Sequence, residues 1–218
     1  MTDQSVSSSP AVDSAGVRKA RIREERRQAI LDAAIPLFAA NGFSDTGISE
    51  IAQAAGMSHG TVFLYFRNKE ALFFSAVVEP LRDMERAFSF EETEGRPLQR
   101  LQQVIANHVR FVAHHRDYLR LVQYVLGHYE RFQDSATEVL AQTERYGESL
   151  VALIRDGQRA GQLVPGDAHA TALAYLGYIN GIGLVVDVRG NQESPIWDAM
   201  AGLGLRLFGP TNMSDGTK

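Results

Sequence analysis

Apolar residues recur every three or four positions along most of the chain, and no stretch alternates apolar with polar for long, so the pattern predicts an all-α protein. The first helix runs from about Arg21 to Asn41, with Ile30, Leu31, Ala34, Leu37 and Phe38 forming one apolar stripe. Asn41-Gly42 ends it, the glycine being suited to a positive φ. Pro36 inside it predicts a bend, because proline removes a donor from the helical ladder. A short helix, Ile48–Ala55, turns Ile48, Ile51 and Ala52 inward. Gly56-Met57-Ser58 follows, then a second short helix, His59–Phe66, with the Ser58 side chain as its N-cap. Asn68 caps a fourth helix that opens at Lys69.

Longer helices follow. Gly95-Arg96-Pro97 breaks the chain, and Pro97 fits a first helical position. The next helix buries Leu98, Leu101, Ile105, His108 and Val112. Others span about Tyr118–His128 and Phe132–Ala160, the latter closed by Gly161. Ala168–Val188 is apolar on most faces and predicts a helix buried all round, ended by Gly190. Ser194 as N-cap and Pro195 at the first position open a last helix that buries Ile196, Ala199, Met200, Leu203 and Leu207.

The chain has 218 residues, enough for one domain or two small ones. Its 44% hydrophobic and 22% charged residues are ordinary globular usage. A net charge of −4 argues against binding nucleic acid by bulk charge. With no cysteine, disulfides, thiolate nucleophiles and Cys-ligated metals are excluded, in keeping with a reducing compartment. The N-terminus carries no basic-then-apolar signal, and Ala170–Val188, with Thr171, Asn180 and three glycines, reads as a buried helix rather than a membrane span. A cytoplasmic protein with no membrane partner is expected. Charge is uneven: Arg18–Arg27 holds six basic residues against two acidic, whereas 81–218 holds fourteen basic against seventeen acidic. A basic arm on a mildly acidic body fits either one local polyanion contact or a solvated helix start. The expected division is a disordered tail with the start of the arm at 1–20, a small helical domain at 21–68, a helical bundle at 69–210, and a disordered tail at 211–218.

Two short helices joined by a glycine-containing turn have the helix-turn-helix layout, which lays its second helix in the DNA major groove. Ile51 and Val62 lock the pair together, and His59, Gly60, Thr61, Leu64 and Tyr65 are left outward. The run ILDAAIPLFAANGFSDTGISEIAQAAGMSHGTVFLYFRNKEAL, Ile30–Leu72, resembles the DNA-binding domain of TetR/AcrR-type transcriptional regulators. The signature pieces are Asn41-Gly42-Phe43, Thr46, Ile51-Ala52, Ala55-Gly56-Met57-Ser58, Gly60-Thr61, Tyr65-Phe66 and Asn68-Lys69-Glu70. The resemblance implies a homodimeric repressor that grips a palindromic double-stranded DNA operator and is controlled by a small effector bound in the C-terminal domain.

On that reading Lys69 meets a phosphate at the start of its helix, where a cation otherwise opposes the helix dipole. Tyr65 offers its phenol to the backbone, and Thr46 gives its hydroxyl to a phosphate or caps the second helix. Ser58 and Gly47 lie at the two helix starts facing DNA, while His59, Thr61 and Leu64 face base edges or a thymine methyl. Gly60 is costly within a helix, and close approach to DNA would explain it. There are departures. The family usually has Ser or Thr where Gly47 stands, often Arg where Ser49 stands, and often Tyr where Phe63 stands. The basic residues 18–27 would compensate along the backbone or in the minor groove.

In the second half, His108, Phe111, Tyr124, His128, Tyr146, Tyr175 and Tyr178 are amphipathic residues on apolar helices, which suits either core packing or a mostly apolar pocket. An aromatic or otherwise apolar effector is expected from such a pocket, and the near absence of lysine there argues against a polyanionic one. Gly177-x-x-x-Gly181 permits close helix approach, so a two-fold dimer is expected from Ala168–Val188 and Pro195–Phe208. His108, His115 and His128 would be the candidates for a metal site, but no His-Glu-x-x-His, phosphate loop or nucleophile elbow accompanies them. No enzyme activity and no cofactor are expected. The alternative is a helical small-molecule-binding or adaptor protein without specific DNA binding.

Overall fold

The computed structural model describes residues 11–87, 95–185 and 193–209. Among them the regular elements are α1 (Ala11–Asp45), α2 (Ile48–Ala54), α3 (His59–Phe63), α4 (Lys69–Ala87), α5 (Pro97–His114), α6 (Arg116–Gly127), α7 (Gln133–Arg159), α8 (Ala168–Val185) and α9 (Ile196–Arg206). The all-α expectation holds for them. The chain divides into two compact units, one ending at Phe73 and one beginning at Phe74. The expected ends of α8 at Val188 and Gly190, and the tail at 211–218, lie outside the described residues.

In the first unit α1 begins at Ala11, so 11–20 are helical rather than a disordered tail. Ala, Arg, Lys, Glu and Gln dominate 18–29, all strong helix formers. The helix also passes Pro36 without leaving helical dihedrals; its path breaks at Gly42, at φ 73° and ψ 179°. Proline's fixed φ is already helical, whereas Gly42 occupies a region that side chains resist. Thr46, 1% exposed, closes this corner: its hydroxyl donates to the carbonyls of Gly42 at 2.8 Å and Leu37 at 3.2 Å.

Ile51 and Val62, both buried, join α2 to α3 across a turn in which Gly56 takes φ 66°. Ser58 caps α3 by accepting from the Thr61 amide at 3.2 Å, and Asn68 caps α4 by accepting from the Ala71 amide at 2.8 Å. Beneath them Phe38, Phe43 and Phe73 form an edge-on aromatic cluster, with the Phe38 and Phe73 centroids 5.0 Å apart.

In the second unit Leu101, Ile105, Val112, Leu150, Ile154 and Tyr175 build one core from α5, α7 and α8. Two outcomes differ from the sequence pattern. Helix α8 is not buried all round: Leu173 is 72% and Leu184 53% exposed, on one stripe with Gly177 and Gly181, which have open space where a side chain would stand. Helix α9 turns Trp197, Gly204 and Phe208 inward and leaves Ile196, Ala199, Leu203 and Leu207 exposed, with Met200 half-covered. It carries two apolar stripes, and periodicity cannot say which one the chain itself covers. Ser194 is not its side-chain cap either; Pro195 holds the N-cap place, and Ser194 only accepts from the Trp197 amide through its carbonyl.

Thr46→Val keeps the size of the side chain and removes the hydroxyl from the corner. It is expected to lower stability by about 1–2 kcal/mol, measured by urea unfolding; an unchanged midpoint would show that the two carbonyls do not need it.

Candidate nucleic-acid interface and effector cavity

The outer face of α3 and its flanks is open. Leu64 is 75% and Phe63 42% exposed, whereas the preceding residue, Val62, faces inward and is 1% exposed. His59 is exposed and meets Phe63 edge-on, with the ring centroids 5.0 Å apart. At Gly60 an added methyl would touch nothing within 4 Å, so nothing within the described chain demands glycine there. The Ser58 and Thr61 hydroxyls bond each other at 2.7 Å, which leaves Thr61 a further lone pair. Tyr65 is half-buried, and its hydroxyl has no partner among the described residues.

Thr46 departs from this group. Its buried hydroxyl is engaged at the α1 corner, so it neither reaches outward nor caps α2. Gly47 is the N-cap of α2 through its backbone, with open space around it. Lys69 opens α4, but its ammonium donates to the Ser44 carbonyl at 3.1 Å and lies 4.6 Å from the Phe43 ring centroid. It thus sits against the last turn of α1, where carbonyls favour a cation. That resolves the apparent misfit of a lysine at a helix start, and a three-donor ammonium keeps donors for an anion.

The second unit holds a mostly apolar cavity of about 100 Å³, lined from α4 to α8 by residues including Leu81, Met84, Leu119, Val122 and Ile179. His108 and Tyr146 line it, as expected; Tyr175 lies behind, its hydroxyl 3.3 Å from His108 Nδ1, with the Tyr146 hydroxyl 3.2 Å from the same nitrogen. Burial pushes His108 down to about 3 and pushes the phenols of Tyr146 and Tyr175 up, so all three are neutral. Besides Tyr175, four expected residues do not line it. Tyr178 donates to the Met200 carbonyl at 2.7 Å, and Phe111 stacks on His115 at 4.1 Å. Tyr124 and His128 pack on each other at 4.5 Å. Phe111, Tyr124 and His128 thus found partners on neighbouring turns, and Tyr178 found one on α9. His108 is buried while His115 and His128 are exposed, and among the described residues no three metal-ligating side chains gather.

A family model described as bacterial regulatory proteins of the tetR family matches residues 30–76, and a tetracyclin repressor-like C-terminal domain matches 94–184. Together they cover more than half of the chain. The chain belongs to the TetR family. It is 34% identical over 85 residues to the fatty acid metabolism regulator protein of Bacillus subtilis, covering 38% of this chain and 44% of that one. The chain thus spans less than half the length of that curated relative. A tetR-family regulatory protein from Rhodococcus RHA1 superposes with a TM-score of 0.67 at 26% identity, over 86% of this chain and 98% of that one. AibR in complex with isovaleryl coenzyme A and operator DNA superposes with a TM-score of 0.65 at 24% identity, over 85% and 99%.

Within this TetR-family chain, the first match contains α2, α3 and Lys69, and the second contains His108 and most of the cavity wall. Sequence reasoning missed Tyr118, Gln142, Thr143 and Asn180 on that wall. The signal was available: Gln142, Thr143 and Asn180 are uncharged polar residues on otherwise apolar helix faces.

His108 links the cavity to pH. The unfolded chain takes up its proton below about 6.5, the folded chain only near 3. Its contribution to stability is therefore complete above pH 6.5 and lost progressively between 6.5 and 3, at up to ~1.4 kcal/mol per pH unit. His108→Gln is expected to flatten the fall of stability between pH 6.5 and 4 by up to one proton, read from urea unfolding across that range. A slope equal to that of the unsubstituted protein would refute the buried neutral imidazole.

Proposed function

We propose that the chain is a ligand-responsive transcriptional regulator, a repressor that leaves a palindromic operator when a small, largely apolar effector fills the cavity. The observation that carries this is the face of α3. A five-residue helix holds Val62 inward, leaves His59, Leu64 and Gly60 open, and has a glycine that the chain's own packing does not require. A groove of bases approaching the helix is a reason for that glycine. Lys69, Tyr65 and the backbone at Gly47 are the proposed phosphate contacts, and His59, Thr61 and Leu64 the base contacts; Ser58 orders the helix that presents them.

The protein works as a two-fold dimer on this reading. The bare stripe Leu173–Gly177–Gly181–Leu184 of α8 and the exposed stripe Ile196–Ala199–Leu203–Leu207 of α9 are what a second copy would cover. The effector is proposed to place an apolar group against the neutral His108–Tyr146 wall, where no Lys or Arg stands. An acyl chain or an aromatic ring fits; the fatty acid regulator among the relatives supports the former. Its place of work is the cytoplasm, with the DNA. By linkage, effector and operator must weaken each other by one factor, typically ~5–150-fold.

On a duplex containing the DNA upstream of its own gene, Lys69→Ala is expected to weaken binding on all sequences and flatten the salt dependence by about one counterion unit. His59→Ala and Thr61→Ala should instead relax base preference. An unchanged salt slope in Lys69→Ala would remove the phosphate assignment. Titration of acyl-CoAs of increasing chain length and of neutral aromatics, against free and DNA-bound protein, tests control; equal affinity in both states would refute it. Sedimentation should show a dimer at micromolar concentration that Gly181→Trp dissociates, and a monomeric parent protein would refute the assembly.

A further inference from the structure

The first family match begins at Ile30, so the basic segment of α1 lies upstream of it. At about 100° per residue, Lys19, Arg23, Arg26 and Arg27 fall within roughly a third of the helix circumference, in line with the buried Ile30. Glu24 and Glu25 lie off the stripe: Glu25 pairs with Arg21 at 3.4 Å, and Glu24 reaches Arg27 at the edge of the stripe at 4.0 Å. Lys19, Arg23 and Arg26 are exposed residues with no acidic partner among the described residues. Three like charges at i, i+4 and i+7 repel one another, so this arrangement is unfavourable unless an anion faces it. The stripe is rooted just beyond the reading helix: the Arg27 guanidinium lies 4.9 Å from the centroid of the Phe66 ring, which follows α3 in the chain. From Arg27 to Lys19 the helix rises about 12 Å, the length of about three to four base pairs.

We propose that Lys19, Arg23 and Arg26 form a second DNA contact, a phosphate-binding edge on the extended α1 that lengthens each half-site outward by about three to four base pairs. It rests on the operator reading above. The contact positions the chain on the phosphate backbone, a role that needs charge and not the bidentate fork by which arginine reads guanine.

The test uses duplexes enriched by the full chain from a random-sequence pool, each made in a core length and with five further base pairs of arbitrary sequence at either end. The full chain should bind the longer duplex more tightly and with the steeper salt slope. The triple variant Lys19→Ala, Arg23→Ala, Arg26→Ala should lose that difference, by about 0.9 slope units per phosphate contact removed, and bind the core duplex as the parent does. Arg23→Lys with Arg26→Lys should keep it, since only charge is needed. A triple variant with parental affinity and slope on the longer duplex would overturn the inference while leaving the operator reading intact. So would loss of binding to anionic phospholipid vesicles without any change on DNA, which would make the stripe a lipid contact. Failure of the parent chain to bind any duplex would overturn both readings.

Discussion

A helix of five residues has no stability of its own, because its first hydrogen-bonded turn fixes more dihedrals than its bonds repay. Helix α3 is that short, and α2 has only seven residues. Their mutual angle, and everything α3 presents, is imposed from outside: by Val62 and Ile51 in a shared core, by the Ser58 cap, and by Gly56 in the turn. The α1 corner is the anchor for the rest. Gly42 turns the chain, Thr46 locks the turn from inside, and Lys69 ties α4 to the same corner through Ser44. Three polar groups there hold position so that other groups can remain open.

That division explains what could be read in advance. Caps and turns are local, and Ser58, Asn68, Gly56 and Gly161 stand where their neighbours in the chain require. The all-α pattern and the α2–turn–α3 unit were legible for the same reason. Thr46 was not, since whether a hydroxyl faces solvent or folds back nine residues to Leu37 depends on the path of the corner. The cavity was half legible. His108 and Tyr146 were found because they are polar on an apolar face, but Tyr124, His128 and Tyr178 carry the same signal and pair elsewhere.

The last two helices show a related ambiguity. A sequence stripe reports that a face avoids water; it does not report whose atoms cover it. Helix α8 is apolar all round in sequence, yet its own chain buries Ala168, Ala172, Tyr175, Ile179, Ile182 and Gly183 and leaves the Leu173–Leu184 stripe bare. Gly204 marks the covered side of α9, where a methyl would come within 3.2 Å of the Tyr178 ring. The other side follows the rule for an unfinished surface: large, apolar and contiguous.

The trio of His108, Tyr146 and Tyr175 has one more consequence. Histidine is ordinarily the side chain that changes charge as a cell drifts from neutral to mildly acid. Here burial has moved that change far below any such drift. A molecule entering the cavity at pH 5.5 meets the same uncharged wall as one entering at pH 8. Mild acidification therefore leaves the polarity of this wall unchanged.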